Sequence, residues 1–380
     1  MKYIHLSDLH LGKRVNEFSM LEEQEAILDQ ILDIMDMETP DGVLIAGDIY
    51  DKSVPPAEAV MLFDNFLAKL SEKALQVFII SGNHDSPERI AFGSRIMDAS
   101  GIHFSPVYNG KITPFVMKDA YGTVNVYMLP FIKPAHVRRY FEEEEIVTYT
   151  DAVRTAVTAM NVDSSVRNVL LTHQFVTGAF RCDSEEKSVG GTDNVEADVF
   201  EVFDYVALGH IHTAQKCCSE KIRYCGTPLK YSFSEMRDVK SLTVVELGEW
   251  GSAPVIRAIP LKPLHDMAEL RGTFEELTSP DYYAENPRKE HYLRIILTNE
   301  NDVPDAIARL RMIYPNVMHL EYDNTRTKMN SGLSDLEASE QLGILELFTL
   351  FYQEQNGKAM SDEQYEYMQK LIEKVEENRT

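Results

Sequence analysis

Positive charge is scarce in this chain of 380 residues: 37 Lys and Arg stand against 61 Asp and Glu, a formal charge of -24. That excess argues against a general polyanion binder, because phosphate contact needs local positive potential. It leaves room for a local basic groove, or for a site whose positive charge is a metal ion. Cysteine is scarce as well. The four are Cys182, Cys217, Cys218 and Cys225, and adjacent Cys217 and Cys218 form no Cys-x-x-Cys pair. This speaks against a structural zinc site and for reduced, ordinary thiols. No apolar run reaches the roughly 18 residues of a membrane span, and no basic-then-apolar leader precedes the first strand pattern. The expectation is a cytoplasmic protein with no membrane association.

Five apolar runs are present, each ending in polar side chains able to bind a metal. They are Ile4-His5-Leu6-Ser7-Asp8-Leu9-His10, Leu44-Ile45-Ala46-Gly47-Asp48, Val77 to Asp85 through Ser81-Gly82-Asn83-His84, Val169-Leu170-Leu171-Thr172-His173, and Val206-Ala207-Leu208-Gly209-His210-Ile211-His212. Apolar runs of this length read as buried strands, and α/β sheets bind ligands at the carboxyl ends of their strands.

At roughly 150 residues per domain the length allows two to three domains, and a hydrophobic content of 44% supports a sizeable core. From Lys2 to Ala99 strand and helix patterns alternate: helices over about Met20 to Met37, from Pro55-Pro56 to about Leu70, and from Ser86-Pro87 to near Ala99. Ser86 can cap the last of these and Pro87 fits its first turn. Lys111 to Val116 and Thr123 to Leu129 read as a hairpin, Tyr149 to Met160 as a helix, and Val166 to Thr172 as another buried strand. Gly178 to Glu196, with Gly190-Gly191, is a long polar loop of the kind that is functional or disordered. Phe203 to Leu208, Ile222 to Tyr224 and Ser241 to Leu247 are expected to close a second sheet. The fold class is therefore α/β, with two packed sheets flanked by helices over 1–260.

The stretch Gly248 to Pro263, with Pro254, Pro260 and Pro263, marks a domain boundary. Residues 264–330 form a small α+β domain with strands at Tyr292 to Leu297 and Val317 to Tyr322 and a helix at Val303 to Ile313. Residues 334–380 form a helical segment. It is apolar over Leu336 to Tyr352, broken at Asn356-Gly357, and restarted by the capping-box pattern Ser361 to Gln364 with the stripe Tyr365, Met368, Ile372 and Val375. Such helices either pack on their own core or dock on a partner.

Taken singly, the polar strand ends have ordinary explanations: Asp48 after Gly47 suits a turn, and a lone His173 suits a hydrogen-bonded core. Together, Asp8, His10, Asp48, Asn83, His173, His210 and His212 supply mixed oxygen and imidazole donors of the kind that suit Mn(II), Fe(II) or Zn(II). Seven ligands are too many for one ion and fit two that share a carboxylate, with Asp48 as the bridge. Paired ions activate water and stabilise in-line displacement at phosphorus.

Asp8-Leu9-His10, Gly47-Asp48, Gly82-Asn83-His84-Asp85, His173 and Gly209-His210-Ile211-His212 resemble, as a set, the calcineurin-like metallophosphoesterase superfamily. Within it the order and spacing are similar to the SbcD family, the nuclease subunits of bacterial SbcCD complexes. Ile4 to Gly12, Gly47-Asp48-Ile49-Tyr50-Asp51, Leu171-Thr172-His173-Gln174 and Tyr224-Cys225-Gly226-Thr227-Pro228-Leu229 add to the likeness. The resemblance implies a four-layer metallophosphoesterase fold with a small α+β capping domain that helps hold DNA. It implies two Mn(II) ions, with other divalent ions as alternatives: one on Asp8, His10, Asp48 and His212, the other on Asp48, Asn83, His173 and His210. His84 would meet the scissile phosphate or protonate the leaving oxygen, and Asp51 and Asp85 would orient their neighbours.

The activity implied is that of a 3'-to-5' exonuclease on duplex ends and an endonuclease on single strands and hairpins, in DNA repair, recombination and replication. The partners implied are DNA, a coiled-coil ATPase resembling SbcC, and a second copy of the chain through the helices of about 56–70 and 87–98. Lys13, Arg14, Lys52, Arg89, Arg271, Arg288, Lys289 and Arg326 are candidate phosphate contacts. The alternative is a metallophosphoesterase acting on phosphoproteins, nucleotides or small phosphodiesters, which the charge of -24 favours. A non-catalytic scaffold would require lost ligands, and none is lost.

Overall fold

A computed structural model describes residues 1–73, 75–180, 182–185, 193–324, 345, 348–349, 351–352 and 359–377. Strand β1 (Lys2–Leu6) leads into helix α1 (Leu21–Glu38), whose Ile27, Leu28, Ile31, Leu32 and Met35 recur at helical spacing and are buried. The chain continues through β2 (Gly42–Ala46), α2 (Ala57–Ser71) and β3 (Gln76–Ile80). The single helix expected from Ser86 to Ala99 is two short ones, α3 (Pro87–Ile90) and α4 (Ser94–Met97). Gly93 lies between them at φ 76, a left-handed conformation that interrupts a helix. After β4 (Ile102–Phe104), the hairpin β5 (Phe115–Asp119) and β6 (Gly122–Leu129) begins later than the expected Lys111, because Pro114 lacks a ladder donor. Helix α5 (Tyr149–Ala159) follows, then β7 (Arg167–His173), β8 (Tyr205–Gly209), β9 (Gln215–Cys217), β10 (Ser219–Tyr224), β11 (Ser241–Glu246) and β12 (Val255–Pro260).

The first sheet has the order β12-β11-β1-β2-β3-β4 and the second β9-β10-β8-β7-β6-β5. In the first, β1 to β4 run parallel while β11 and β12 are antiparallel additions; in the second, β6, β7, β8 and β10 run parallel. This corrects the expectation for Ser241 to Leu247: β11 pairs with β1, Tyr3 opposite Val245, and so belongs to the first sheet. Nor does the proline-bearing stretch after Gly248 read as a strand, yet it carries β12. As the outermost strand of its sheet β12 tolerates Pro260, because an edge position needs no donor on its free side.

The central strands are buried on both faces, which explains their unbroken apolar runs. Ile4, Val43, Ile45, Val77 and Ile79 face α1 and α2. Their neighbours Tyr3, Leu44, Phe78 and Ile80 face Val124, Val126, Val169, Leu171, Tyr205 and Ala207 of the other sheet. On that sheet's outer side Leu170, Val206 and Leu208 pack with Val153 and Val157 of α5. The layers are helix, sheet, sheet, helix. A polar tie crosses the middle: His5 Nδ1 lies 2.9 Å from the Tyr205 hydroxyl and His5 Nε2 3.2 Å from the Leu208 carbonyl.

Two compact units divide the chain. One holds Met1–Glu269, Asn286–Arg294 and Arg311–His319; the other holds Leu270–Glu285, Ile295–Leu310 and the described residues from Leu320 onward. A three-stranded sheet of β13 (Met267–Gly272), β14 (Tyr292–Leu297) and β15 (Val317–Tyr322) has β14 in the middle. The helix expected from Val303 forms only over Ala306–Arg311, since Pro304 and the left-handed Asp305 (φ 52) delay its start. Near the end of the chain Asp362–Glu377 is helical. Its capping box is formed, with the Gln364 amide donating to Ser361 Oγ at 3.3 Å and the Ser361 amide to Gln364 Oε1 at 3.0 Å. Most of Leu336 to Tyr352, Asn356-Gly357, Gly190-Gly191, Arg326 and the side chains of Ile372 and Val375 lie outside the described residues. Among the described residues no helix is long and apolar enough to cross a membrane.

The sheets come to backbone distance beside Gly209, where a Cβ would stand 1.9 Å from the Ala46 carbonyl oxygen and 2.6 Å from His173 Nδ1. Gly209→Ala should therefore force the sheets apart. A loss of roughly 1–3 kcal/mol, the usual cost of overpacking, should appear as a lowered melting temperature of the metal-free protein. An unchanged melting temperature would show that the contact yields.

Candidate metal centre

The loops after β1 and β2 are laced together by their backbones. The amides of Asp8, His10 and Leu11 donate to the carbonyls of Gly47, Asp48 and Ile49 at 2.9–3.0 Å. Asp8 (φ 52), His10 (φ 45) and Asp48 (φ 49) are left-handed, and His210 stands at φ 100. Such conformations cost of order 1 kcal/mol or more each and persist where the surroundings fix them. Here they turn side chains off the strand ends into one space. The second sheet adds His173 at the end of β7 and His210 and His212 just beyond β8. The His210 amide donates to Asp8 Oδ1 at 3.0 Å, joining the two sets of loops.

Asp48 is central. Its Oδ1 accepts the His84 amide at 3.0 Å. Its Oδ2 faces three imidazole nitrogens: His173 Nε2 at 3.4 Å, His10 Nε2 at 3.7 Å and His84 Nε2 at 3.9 Å. These separations exceed an ordinary hydrogen bond and leave room for a shared cation. Asn83 Oδ1 lies 3.0 Å from His173 Nε2 and 2.9 Å from His210 Nδ1. His10 Nε2 and His212 Nε2 face each other at 3.1 Å. All seven side chains singled out at the strand ends are thus brought together. Asp8, His10 and His212 form one metal-capable group and Asp8, Asp48 and His173 another, while His84 joins His10 and Asp48 in a third.

His84 donates from Nδ1 to the Asp51 carbonyl at 3.0 Å and is the most exposed of these rings. Asp51 is paired with Lys13 at 2.7 Å and stands 3.8 Å from His10 Nδ1. Asp85 accepts from the amides of Ile49, Tyr50 and Gly82 at 2.9–3.1 Å, so it pins two loops and does not face the open site.

A model of the calcineurin-like phosphoesterase family matches residues 1–214. The chain belongs to this family. A second model, SbcD_C, described as the type 5 capsule protein repressor C-terminal domain, matches residues 263–356. Among solved structures, a dimetal phosphatase from Danio rerio is similar at 11% identity and a TM-score of 0.43, over 70% of this chain and 98% of that one.

The residues fit the divalent ions that a calcineurin-like phosphoesterase centre would hold. Imidazole and carboxylate side chains converge there, and buried His10 Nδ1 makes no hydrogen bond. Were His10 Nε2 and His212 Nε2 to hold such an ion, the His10 ring proton would stand on Nδ1, which lies 3.8 Å from Asp51 Oδ1. His173 is already oriented, because Nδ1 donates to the Ala46 carbonyl at 2.8 Å and Nε2 is turned inward. A hydrogen bond behind a ligating histidine fixes its tautomer and orientation in this way.

Side chains that sequence reasoning missed stand behind the ligands. Gln24 Nε2 donates to the His10 carbonyl at 2.7 Å and the Tyr231 hydroxyl to the Leu9 carbonyl at 2.6 Å. Behind His212 are Ser184, Glu185, Glu235 and Lys240. Glu235 sits among serines in Ser232-Phe233-Ser234 and carries no periodic signal, although it is fully buried.

Burial, with Asp48 beside it, pushes the Asp8 carboxyl up to about 7. For His173 burial opposes the charge, but Asp48 and Asp8 outweigh it and raise the ring to about 9. Burial holds His10 and His212 well below the ordinary range. Holding a divalent cation would therefore require His173 and Asp8 to be deprotonated. Deprotonation favours binding, so the apparent manganese affinity should rise as pH increases from about 6 to 9. Calorimetry in buffers of different ionisation enthalpy should detect about one proton or more released per chain near neutrality. A pH-independent affinity would contradict this electrostatic picture.

Proposed function

We propose that this chain is the manganese-dependent DNA nuclease subunit of an SbcCD-type complex, working with a coiled-coil ATPase in the cytoplasm. The observation that carries the reading is the pairing, in one chain, of a calcineurin-like phosphoesterase match over 1–214 with the SbcD_C match over 263–356. Asp8, His10, Asp48 and His212 would hold one ion and Asp48, Asn83, His173 and His210 the other. When bound, such a pair supplies charge stabilisation and water activation for in-line displacement at phosphorus. Asp51 and Asp85 keep the ligand loops in place. His84, on the open side with Nδ1 committed to the Asp51 carbonyl, presents Nε2 to the scissile phosphate or the leaving oxygen.

Among the candidate phosphate contacts, Lys52, Arg89 and Arg288 are exposed, whereas Lys13 is held by Asp51 and Arg271 is paired with Asp323. The homodimer reading is supported by apolar side chains left outside the core. Phe63, Phe66, Leu67 and Ile90 are buried, while Met61 is 66% exposed, Phe92 85% and Ile96 81%. A segment from 334 onward would dock on the ATPase; Tyr367 and Leu371 of its last helix are exposed. The charge of -24 favours the second reading, a phosphoesterase for phosphoproteins, nucleotides or small phosphodiesters.

Purified protein with Mn(II) should degrade linear duplex DNA from its 3' ends, and faster with the ATPase partner present. Hydrolysis of small phosphodiesters with no action on DNA in either state would select the second reading. His84→Ala should retain its manganese while turnover falls roughly 10²–10⁴-fold, the usual range for an acid–base group. Metal loss in that variant would make His84 a ligand instead.

A further inference from the structure

We propose that Ser184, Glu235 and Lys240 form a buried relay that fixes the tautomer of His212 and so determines whether one of the two cations is held. Ser184 Oγ lies 2.7 Å from His212 Nδ1 and donates to Glu235 Oε1 at 2.6 Å. A hydroxyl has one proton to give. Glu235, ion-paired with Lys240 through Oε2, offers only acceptor oxygens, so the Ser184 proton goes to Glu235. Ser184 Oγ must then accept from His212, which places the ring proton on Nδ1 and the lone pair on Nε2, the nitrogen that faces His10 across 3.1 Å.

The rest of the network holds the relay rigid. Glu235 is fully buried and accepts in addition from Thr227 Oγ1 at 3.4 Å and the Tyr231 amide at 3.3 Å. Lys240 Nζ also donates to the His212 carbonyl at 2.9 Å, and the His212 amide donates to Glu185 Oε1 at 2.7 Å. His212 is thus gripped at its ring, its amide and its carbonyl by side chains.

His173 makes the contrast. Its tautomer is set by the backbone carbonyl of Ala46, which no substitution removes. That of His212 rests on one hydroxyl and is open to test. Ser184 acts through His212 and is a positioning residue. The inference rests on the centre's being binuclear.

The test is manganese binding by the full chain, with no nucleic acid present, followed by calorimetry and electron paramagnetic resonance. Wild type should bind two ions and give an exchange-coupled signal. Ser184→Ala should keep the melting temperature of the metal-free protein. It should bind one ion as before and the other 10–100-fold more weakly, the usual effect of losing such a partner, giving an uncoupled spectrum at limiting manganese. Ser184→Thr, which keeps the hydroxyl, should restore the coupled signal. Two ions at unchanged affinity in Ser184→Ala would overturn the relay alone, as would equal weakening of both ions or a metal-free protein that melts far lower. Fewer than two ions in wild type would overturn the binuclear reading, and the relay with it.

Discussion

Where the two sheets touch, the carbonyl of Ala46 accepts a hydrogen bond from His173 and faces Gly209 with no space for a side chain between them. Much of the centre follows from this approach. It sets the end of β7 against the end of β2, so candidate ligands from different sheets come within reach of one another. It also turns His173 Nε2 toward Asp48. Gly82 makes a similar concession on the other side, since a Cβ there would stand 2.0 Å from Asp48 Oδ1. The carboxylate is confined between two backbones, and this close fit holds it where three imidazoles can face it.

Confinement of this kind is electrostatically costly. Asp8 and Asp48 are almost wholly buried a short distance apart, and buried like charges repel strongly in a medium of low dielectric constant. Without a cation, protonation of His173 offsets part of that charge. A divalent cation held there would offset that charge, which is why the arrangement suits such an ion although the electrostatic cost is high without one. The left-handed backbones of Asp8, His10 and Asp48 belong to the same account: they are tolerated because the hydrogen bonds between neighbouring loops over-determine them.

The parts legible in the sequence are those governed by pattern. Apolar runs ending in Asp, Asn or His gave the central strands and the side chains that converge, because burial and strand direction act on a few consecutive residues. What was not legible depends on contacts distant in the chain. Nothing around Ser241 says that it returns to pair with β1, and Pro254 and Pro260 disguise an edge strand as a linker. Gly93 splits a helix whose apolar spacing looked continuous. Ser184, Glu235 and Lys240 sit in polar surroundings, and only the fold shows that they meet behind His212. Sequence pattern reports which residues avoid water; it does not report which polar residues find one another.

The strands at the middle of the molecule alternate between two cores that are both apolar. In most half-buried sheets, a slip of one residue carries the apolar set into solvent and is strongly penalised. Here a slip of β2 would exchange Leu44 with Val43 or Ile45 and leave every side chain buried. Hydrophobicity alone therefore specifies these strands' register only weakly. The discrimination falls to their ends, where Gly209 must lie against Ala46, Gly82 against Asp48, and the His210 amide against Asp8. The candidate centre is in this sense also the alignment mark of the fold: the close contacts that bring its side chains together are those that tell the two sheets how to meet.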